Sequence, residues 1–414
     1  MPEFPIHAVR SRFPALTRDV AGQPAVYLDG PGGTQACDAA IGAMVAHLSE
    51  GTANSGGPFA SSVDTDAISA KAHAAMADLL GGKPEEIAFG PNMTSLTLAV
   101  SRALAREWRD GDELIVTRLD HDANVAPWLQ VAEDRGMTVR WLDFDPASGR
   151  WNPDDLVPLL NAKTRLVALG VASNALGTIN PVAAAVKLVR AHSDALVHVD
   201  AVQSVPHLVT DVTELGADFV ACSPYKFFGP HQGVLWMDSR LDDRVRAYKV
   251  RPAGNEGAHR FESGTPLFEG QAGVLGTIAY LEWLGALADP SANSRRQRLI
   301  AAMTASTAYE RGLGEHLIAG LATIPGLKVW GPPTMEGRVP TFSFTLGGHD
   351  PQAISEHLAE RGIFAWAGHF YAVEVVDRLG LTDQGGLLRV GLCHYNMAEE
   401  IDRLIAALAE LAPA

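Results

Sequence analysis

The sequence predicts an α/β fold: a large domain built on a mostly parallel, seven-stranded sheet flanked by helices, followed by a smaller C-terminal α+β domain. Three observations carry this. From Ile87 onward, short apolar runs, Gly- or Pro-containing turns and helix-spaced stretches alternate repeatedly. The apolar runs are continuous rather than alternating, as expected of strands covered on both faces. After about Gly270 the alternation gives way to two long helical stretches and a mixed tail, the mark of a second unit.

In chain order, residues 1–25 read as an arm that packs on the small domain. Tyr27-Leu28-Asp29 then enters the turn Gly30-Pro31-Gly32-Gly33, which lets backbone come close to a ligand. Helical spacing follows over 39–48 and 67–80. Strands are predicted at 87–89, 114–117, 139–142, 166–169, 196–199, 219–222 and 234–237. Helices are predicted from Met93 to about Trp108 and over 125–135, 154–160 and 182–192. The large domain spans 26–287 and the small one 288–414. Long helices cover 272–287 and 295–324, the second closed by Pro325-Gly326. The tail carries strands at 327–330, 341–346, 363–366 and 388–390, with helices near 352–361 and 398–411.

Composition narrows the partners. A hydrophobic share of 47% beside 20% charged residues is that of a globular enzyme or binding protein. A net charge of −15 excludes electrostatic attraction to nucleic acid or an anionic membrane. No apolar stretch is long enough to span a bilayer, and Met1-Pro2-Glu3-Phe4-Pro5 lacks the basic start and apolar core of a signal peptide. Cys37, Cys222 and Cys393 form neither a CxxC pair nor a disulfide framework, so a cytoplasmic home is expected, and no metal.

Ligands of parallel α/β sheets collect beyond the carboxyl ends of the strands, which makes the polar residues just after each predicted strand the candidates. Thr94 and Ser95 open a helix, where free N–H groups suit a phosphate. His121 follows the next strand, Ser173 and Asn174 another, Asp200 and Gln203 a third, and Ser223 and Lys226 a fourth. Lys226 sits in Ser223-Pro224-Tyr225-Lys226-Phe227-Phe228-Gly229 between two apolar runs, and desolvation there lowers an amine's pKa and makes it a nucleophile toward carbonyls. This set meets the needs of pyridoxal 5′-phosphate (PLP): a lysine for the Schiff base, a carboxylate for the pyridine nitrogen, an imidazole over one ring face, and hydroxyls at a helix start for the phosphate.

The same residues resemble the class V aminotransferase group of fold-type I PLP enzymes, with SufS-type cysteine desulfurases the nearest in pattern. The motifs are His121-Asp122-Ala123-Asn124-Val125-Ala126-Pro127-Trp128, Ser173 through Pro181, Val199-Asp200-Ala201-Val202-Gln203, the lysine stretch, Phe261-Glu262-Ser263-Gly264-Thr265-Pro266 and Leu388-Arg389-Val390. The resemblance implies that Lys226 carries the cofactor, Asp200 pairs with the ring nitrogen, His121 stacks on the ring and Gln203 bonds its phenolic oxygen. It implies that Thr94, Ser95 and Ser223 hold the phosphate, joined by Thr265 from the other subunit of a homodimer. Arg389 would clamp the substrate α-carboxylate, with Asn174 assisting beside the cofactor and Gly32 lining the substrate side.

Two departures bear on the reaction. Tyr225 stands where the family has a histidine before the lysine, near the phosphate; a phenol still donates one hydrogen bond. The loop that carries the persulfide-forming cysteine in desulfurases corresponds to Gly368-His369-Phe370-Tyr371-Ala372, which has none. The expected chemistry on an α-amino acid is therefore of the lyase type, β-elimination or decarboxylation, with carbon–carbon bond formation among the outcomes. The alternatives are transamination, desulfuration despite the missing cysteine, and a non-catalytic PLP-binding protein. A basic segment over 249–260 gives one further expectation: Lys249 or Arg251 reads a second anionic group on the substrate.

Overall fold

In the computed structural model, which describes residues 4–20 and 22–412, the chain forms an α/β fold with a large mixed sheet. The first three residues and Ala21 of the expected arm lie outside the described residues. The large sheet comprises β1 (Ile87–Gly90), β2 (Glu113–Thr117), β3 (Thr138–Leu142), β4 (Thr164–Gly170), β5 (Leu196–Asp200), β6 (Phe219–Cys222) and β7 (Gly233–Met237). Its spatial order is β1-β7-β6-β5-β4-β2-β3. Strands β3, β2, β4, β5 and β6 pair in parallel, and β7 is antiparallel to both neighbours. Two successive antiparallel pairings return β1 to the direction of the other five. The carboxyl ends of six strands thus open on one edge, and the continuous apolar runs are buried from end to end in β2, β5's last four residues, β6 and β7.

The predicted strands and helices recur with ends moved by a few residues, except at two places. Residues 154–160 form a 3₁₀ segment, Pro153–Leu159, because Pro158 cannot donate to an α-helical ladder. The single strand expected at 363–366 is two: Ile363–Phe364 pairs in parallel with Val26–Tyr27, and Trp366–Gly368 pairs antiparallel with Leu387–Gly391. The chain changes partners at Ala365.

Apolar residues divide into three clusters. Two sandwich the large sheet, and the third holds Phe342, Phe344, Leu388 and Val390 of the four-stranded C-terminal sheet together with Leu313, Leu317 and Leu321. Val26 and Leu28 belong to this third cluster while Tyr27 between them belongs to the first, so this stretch packs on both units. The helix Arg295–Leu321 spans both units, with Leu299 and Met303 in the large core and Leu317 in the small one. The arm, expected on the small domain, bonds there through Arg10 to the Tyr395 carbonyl and Glu400 and also reaches the large unit. Phe13 stacks edge-on against Phe228 and Tyr280 of the large unit and Tyr395 of the C-terminal segment, with centroids 5.5, 5.3 and 5.0 Å away.

Candidate active site

Lys226 ends the 3₁₀ turn Pro224–Lys226 that follows β6, and its side chain is 7% exposed. Nζ donates to the carbonyl oxygens of Pro31, at 2.5 Å, and Gly32, at 3.0 Å. Burial, and then the nearby Arg389 guanidinium, push its pKa down to about 7 against the opposing pull of Asp200. A neutral amine held by two such donations keeps its lone pair free, the state a carbonyl nucleophile needs. The glycine turn makes this possible. A Cβ on Gly32 would stand 2.4 Å from Trp366 Nε1, and one on Gly33 3.3 Å from the Tyr225 ring. The chain is tied here by Thr34 N–H to the Tyr225 carbonyl and Phe228 N–H to Thr34 Oγ1.

Around the lysine the strand ends converge on a buried cavity lined by Asp120, His121, Asn174, Asp200, Gln203, Ser223, Tyr225 and Lys226, with Thr94 on its rim. Asp200 closes β5 and accepts from the Val202 N–H at 2.8 Å; burial lifts its carboxyl to about 6, partly offset by that bond and by Lys226. His121 Nδ1 accepts from the Ala123 N–H at 2.9 Å, which places the ring proton on Nε2. Burial, then the charges of Lys226 and Arg389, hold it at about 4, so it is a neutral ring near pH 7. Gln203 Nε2 donates to the Pro31 carbonyl at 2.8 Å. Ser223 Oγ accepts from the Met93 N–H at 3.3 Å, fixing it beside the start of the helix Met93–Leu104, whose Ser95 N–H is taken by Asn92. Burial raises the Tyr225 phenol above its ordinary value, so it keeps its proton, and its ring stacks on His231 at 5.0 Å.

The cavity opens into a cleft of about 1060 Å³ that adds Gly32, Ser95, Trp366, His369, Phe370, Tyr371 and Arg389. Arg389 donates to the Asn174 carbonyl at 2.8 Å and is almost wholly buried, which lowers its pKa to about 9. The loop over it is held by two polar bonds, Asn174 Nδ2 to the Phe370 carbonyl at 2.8 Å and Asp122 N–H to the Tyr371 carbonyl at 2.7 Å. Phe370 and Tyr371 sit at φ +54° and +58°, a left-handed conformation that costs non-glycine residues about 1–3 kcal/mol each and collects at functional sites. Asn174 Oδ1 and Arg389 Nε, both lining the cleft, are buried without a hydrogen-bond partner among the described residues. An open acceptor beside an open guanidinium N–H is what a ligand bearing both a donor, such as an ammonium, and an anionic acceptor would satisfy.

Two expected residues are not brought to this cleft. Arg251 is exposed, and its neighbour Lys249 donates to the Ala253 carbonyl at 2.5 Å. Thr265 is exposed and does not line the cavity of its own chain. Two residues that sequence reasoning passed over line it, Asp120 and Trp366, and Phe370 of the cysteine-free loop joins them. For Asp120 the signal was present, a carboxylate directly after a strand and directly before His121.

The sequence model of class V aminotransferases matches residues 26–404. The chain belongs to the class V aminotransferase family. It is 32% identical to the aminotransferase-like protein FGM3 of Gibberella zeae, over 98% of each chain. It is 31% identical to a cysteine desulfurase of Klebsiella pneumoniae, over 99% of this chain and 98% of that one. Among solved structures, the cysteine desulfurase of Thermococcus onnurineus superposes with a TM-score of 0.86 at 25% identity, over 100% of this chain and 99% of the other. As a member of this family the chain is a PLP-dependent enzyme. The residues present fit that cofactor: a desolvated lysine, a buried carboxylate, a neutral imidazole and a helix start with a serine hydroxyl, around open polar atoms.

Proposed function

We propose that this class V enzyme performs lyase-type chemistry on an α-amino acid, by β-elimination or decarboxylation, rather than persulfide-forming desulfuration. One observation carries the reading: the loop over the cleft presents His369, Phe370 and Tyr371, and all three cysteines of the chain are buried. Cys222 and Cys393 are pushed well above the ordinary thiol range by burial, so neither offers a thiolate.

When bound, the cofactor supplies an electron sink for the bond broken at the substrate's α- or β-carbon. The chain's own residues do the rest. Lys226 is the amine that binds the cofactor and, once released, moves a proton at Nζ. Asp200 holds the ring-nitrogen proton. His121, neutral and with Nε2–H fixed by the Ala123 bond, covers a ring face without adding charge. Ser223, Thr94, Ser95 and the proton-bearing Tyr225 hold the phosphate, and Gln203 the phenolic oxygen. Arg389 and Asn174 orient the substrate carboxylate beside Gly32, and the Phe370 loop excludes water.

We infer in addition that two copies share the site. The helix Asp38–Glu50 exposes Ile41, Val45 and Leu48 at helical spacing, with Phe59, Val63, Tyr248, Val250 and Leu267 also exposed. Exposed apolar residues at this density favour a partner surface, and Thr265 and Arg251 lie on the segments that carry Leu267 and Val250. Among the described residues no helix is long and apolar enough to cross a membrane.

The test is to add single amino acids to the PLP-loaded protein and assay pyruvate, carbon dioxide, sulfide and keto acids. Pyruvate or carbon dioxide with the cofactor retained supports the lyase reading. A keto acid with pyridoxamine phosphate establishes transamination instead, and sulfide passing through a protein persulfide overturns the exclusion of desulfuration.

A further inference from the structure

Behind Asp200 the same cavity holds a second carboxylate that the scheme above does not use. Asp120 is fully buried and lines the cavity wall. Its Oδ1 accepts from the Gly170 N–H at 3.0 Å and its Oδ2 from Asn124 Nδ2 at 2.8 Å, and Thr117 also donates to it. Gly170 is the register partner of Asp200 across β4 and β5, and a Cβ on Gly170 would meet Asp120 Oδ1 at 2.6 Å. The absence of a side chain at Gly170 is therefore what admits this carboxylate next to Asp200. Donors reach Asp120 from three elements and favour its ionised form. The bond continues through Asn124 Oδ1 to His198 Nδ1 at 3.0 Å, beneath the sheet.

We propose that Asp120 is a positioning residue for the cofactor: its charge, held one strand from Asp200, strengthens Asp200 as the acceptor for the ring-nitrogen proton and keeps the bound cofactor protonated at neutral pH. The two carboxyls act on each other. Burial first and then Asp200 raise Asp120 to about 7, against the lowering by Asn124, Thr117 and Gly170. The other titratable groups facing the pair are Lys226, His121, Arg389 and Tyr225 from the cleft, with Cys222 and His198 from the sheet. Near pH 7 the two histidines are neutral, held at about 4 and about 3, and the thiol keeps its proton. Lys226 is consumed in holding the cofactor. Among the residues lining the cavity, Asp120 is then the carboxyl whose charge adds to that of Asp200, and Arg389 in the adjoining cleft is the cation that opposes it.

The proposal rests on the reading that Asp200 partners the ring nitrogen, and the test separates the two. The visible absorbance of the PLP-loaded protein is titrated against pH, and the PLP dissociation constant measured, for the wild type, Asp120→Asn, Asp120→Glu and Asp200→Asn. Loss of one charge in a buried cluster is expected to move the midpoint of the Asp120→Asn band downward by about one pH unit, and to weaken PLP binding about tenfold. Asp120→Glu keeps the charge and returns the midpoint toward the wild type. An Asp120→Asn protein with wild-type midpoint and affinity overturns the proposal, provided Asp200→Asn shifts both. If Asp200→Asn shifts neither, the Asp200 reading fails and this proposal with it. Should Asp120→Asn not fold, Asn124→Ala leaves the carboxylate in place with one donor fewer. With that donor gone the Asp120 carboxyl keeps its proton to higher pH, so the midpoint is expected to fall in the same direction as in Asp120→Asn, and an unchanged or higher value overturns the proposal.

Discussion

The ring of Phe370 lies over the guanidinium of Arg389, with 4.2 Å between Cζ and the ring centroid, and the Phe370 carbonyl is tied to Asn174. The cysteine-free loop over the cleft therefore holds the residue expected to bind the substrate carboxylate. A desolvated cation–π contact contributes about 0.5–2 kcal/mol. Phe370→Ala is expected to weaken amino-acid binding about 3- to 30-fold with a smaller effect on kcat. Titrating the cofactor band with the amino acid that perturbs it most strongly measures this, and an unchanged Kd would show that the ring does not orient Arg389.

Lys226 carries a stability cost that depends on pH. Its folded pKa, about 7, is below its ordinary 10.5, so the folded chain binds fewer protons than the unfolded one between these values. In the cofactor-free protein the penalty is full below about pH 7 and disappears as pH rises toward 10.5. Cofactor-free Lys226→Met is expected to be more stable than the wild type at pH 7, by on the order of 3 kcal/mol, and to lose the advantage by pH 10. Chemical denaturation at the two pH values checks it; an advantage of equal size at both would contradict the buried-amine account.

Glu262 makes the opposite prediction in acid. Burial works to raise its carboxyl, but hydrogen bonds from His259 and His73 and the Phe89 N–H prevail and hold it at about 2, below its ordinary 4.5. The stability it contributes is present above pH 4.5 and is lost as pH falls through about 2. His259, raised by the same bond, contributes stability below its ordinary 6.5 that fades as pH rises through its folded value. Glu262→Gln is expected to cost about 3 kcal/mol at pH 6, because His73, bonded at 2.8 Å, loses its buried partner. Urea denaturation across pH 2 to 8 reads both limbs.

The cysteines give a chemical prediction. Cys37, Cys222 and Cys393 are all buried, and each is raised above the ordinary thiol range, first by burial. In the native protein none is expected to react with a thiol reagent within the time that all three react in denaturant. Mass spectrometry after incubation with cysteine is expected to show no added sulfur on the chain; a persulfide on any of the three would contradict the assignment.

Much of the site was legible before folding, because its residues sit at strand ends and the strands are marked by continuous apolar runs. Lys226, Asp200, His121, Asn174, Gln203 and Ser223 each follow such a run, and the structure gathers them around one cavity. Asp120 was passed over although it occupies the same kind of position, since a carboxylate before a histidine reads as a turn residue until Gly170 and Asn124 are seen to donate to it. Trp366 carried no signal, and Phe370 only its place in the loop matched to that of the desulfurase cysteine. They come from the C-terminal unit, and nothing local in their sequence indicates that they will face a cleft formed by strands more than a hundred residues earlier.

The sequence by itself determined the class of fold and the inventory of reacting groups, because burial pattern and residue type are properties of short segments. Only the tertiary structure decided which groups meet and in what state. The folded chain places the Pro31 and Gly32 carbonyls on Lys226 within the large unit, and the Phe370 ring on Arg389 within the C-terminal one. It also excludes water from a lysine, two carboxylates and an imidazole together. Protonation state depends on desolvation and on neighbours distant in the chain, and these exist only once the chain has folded.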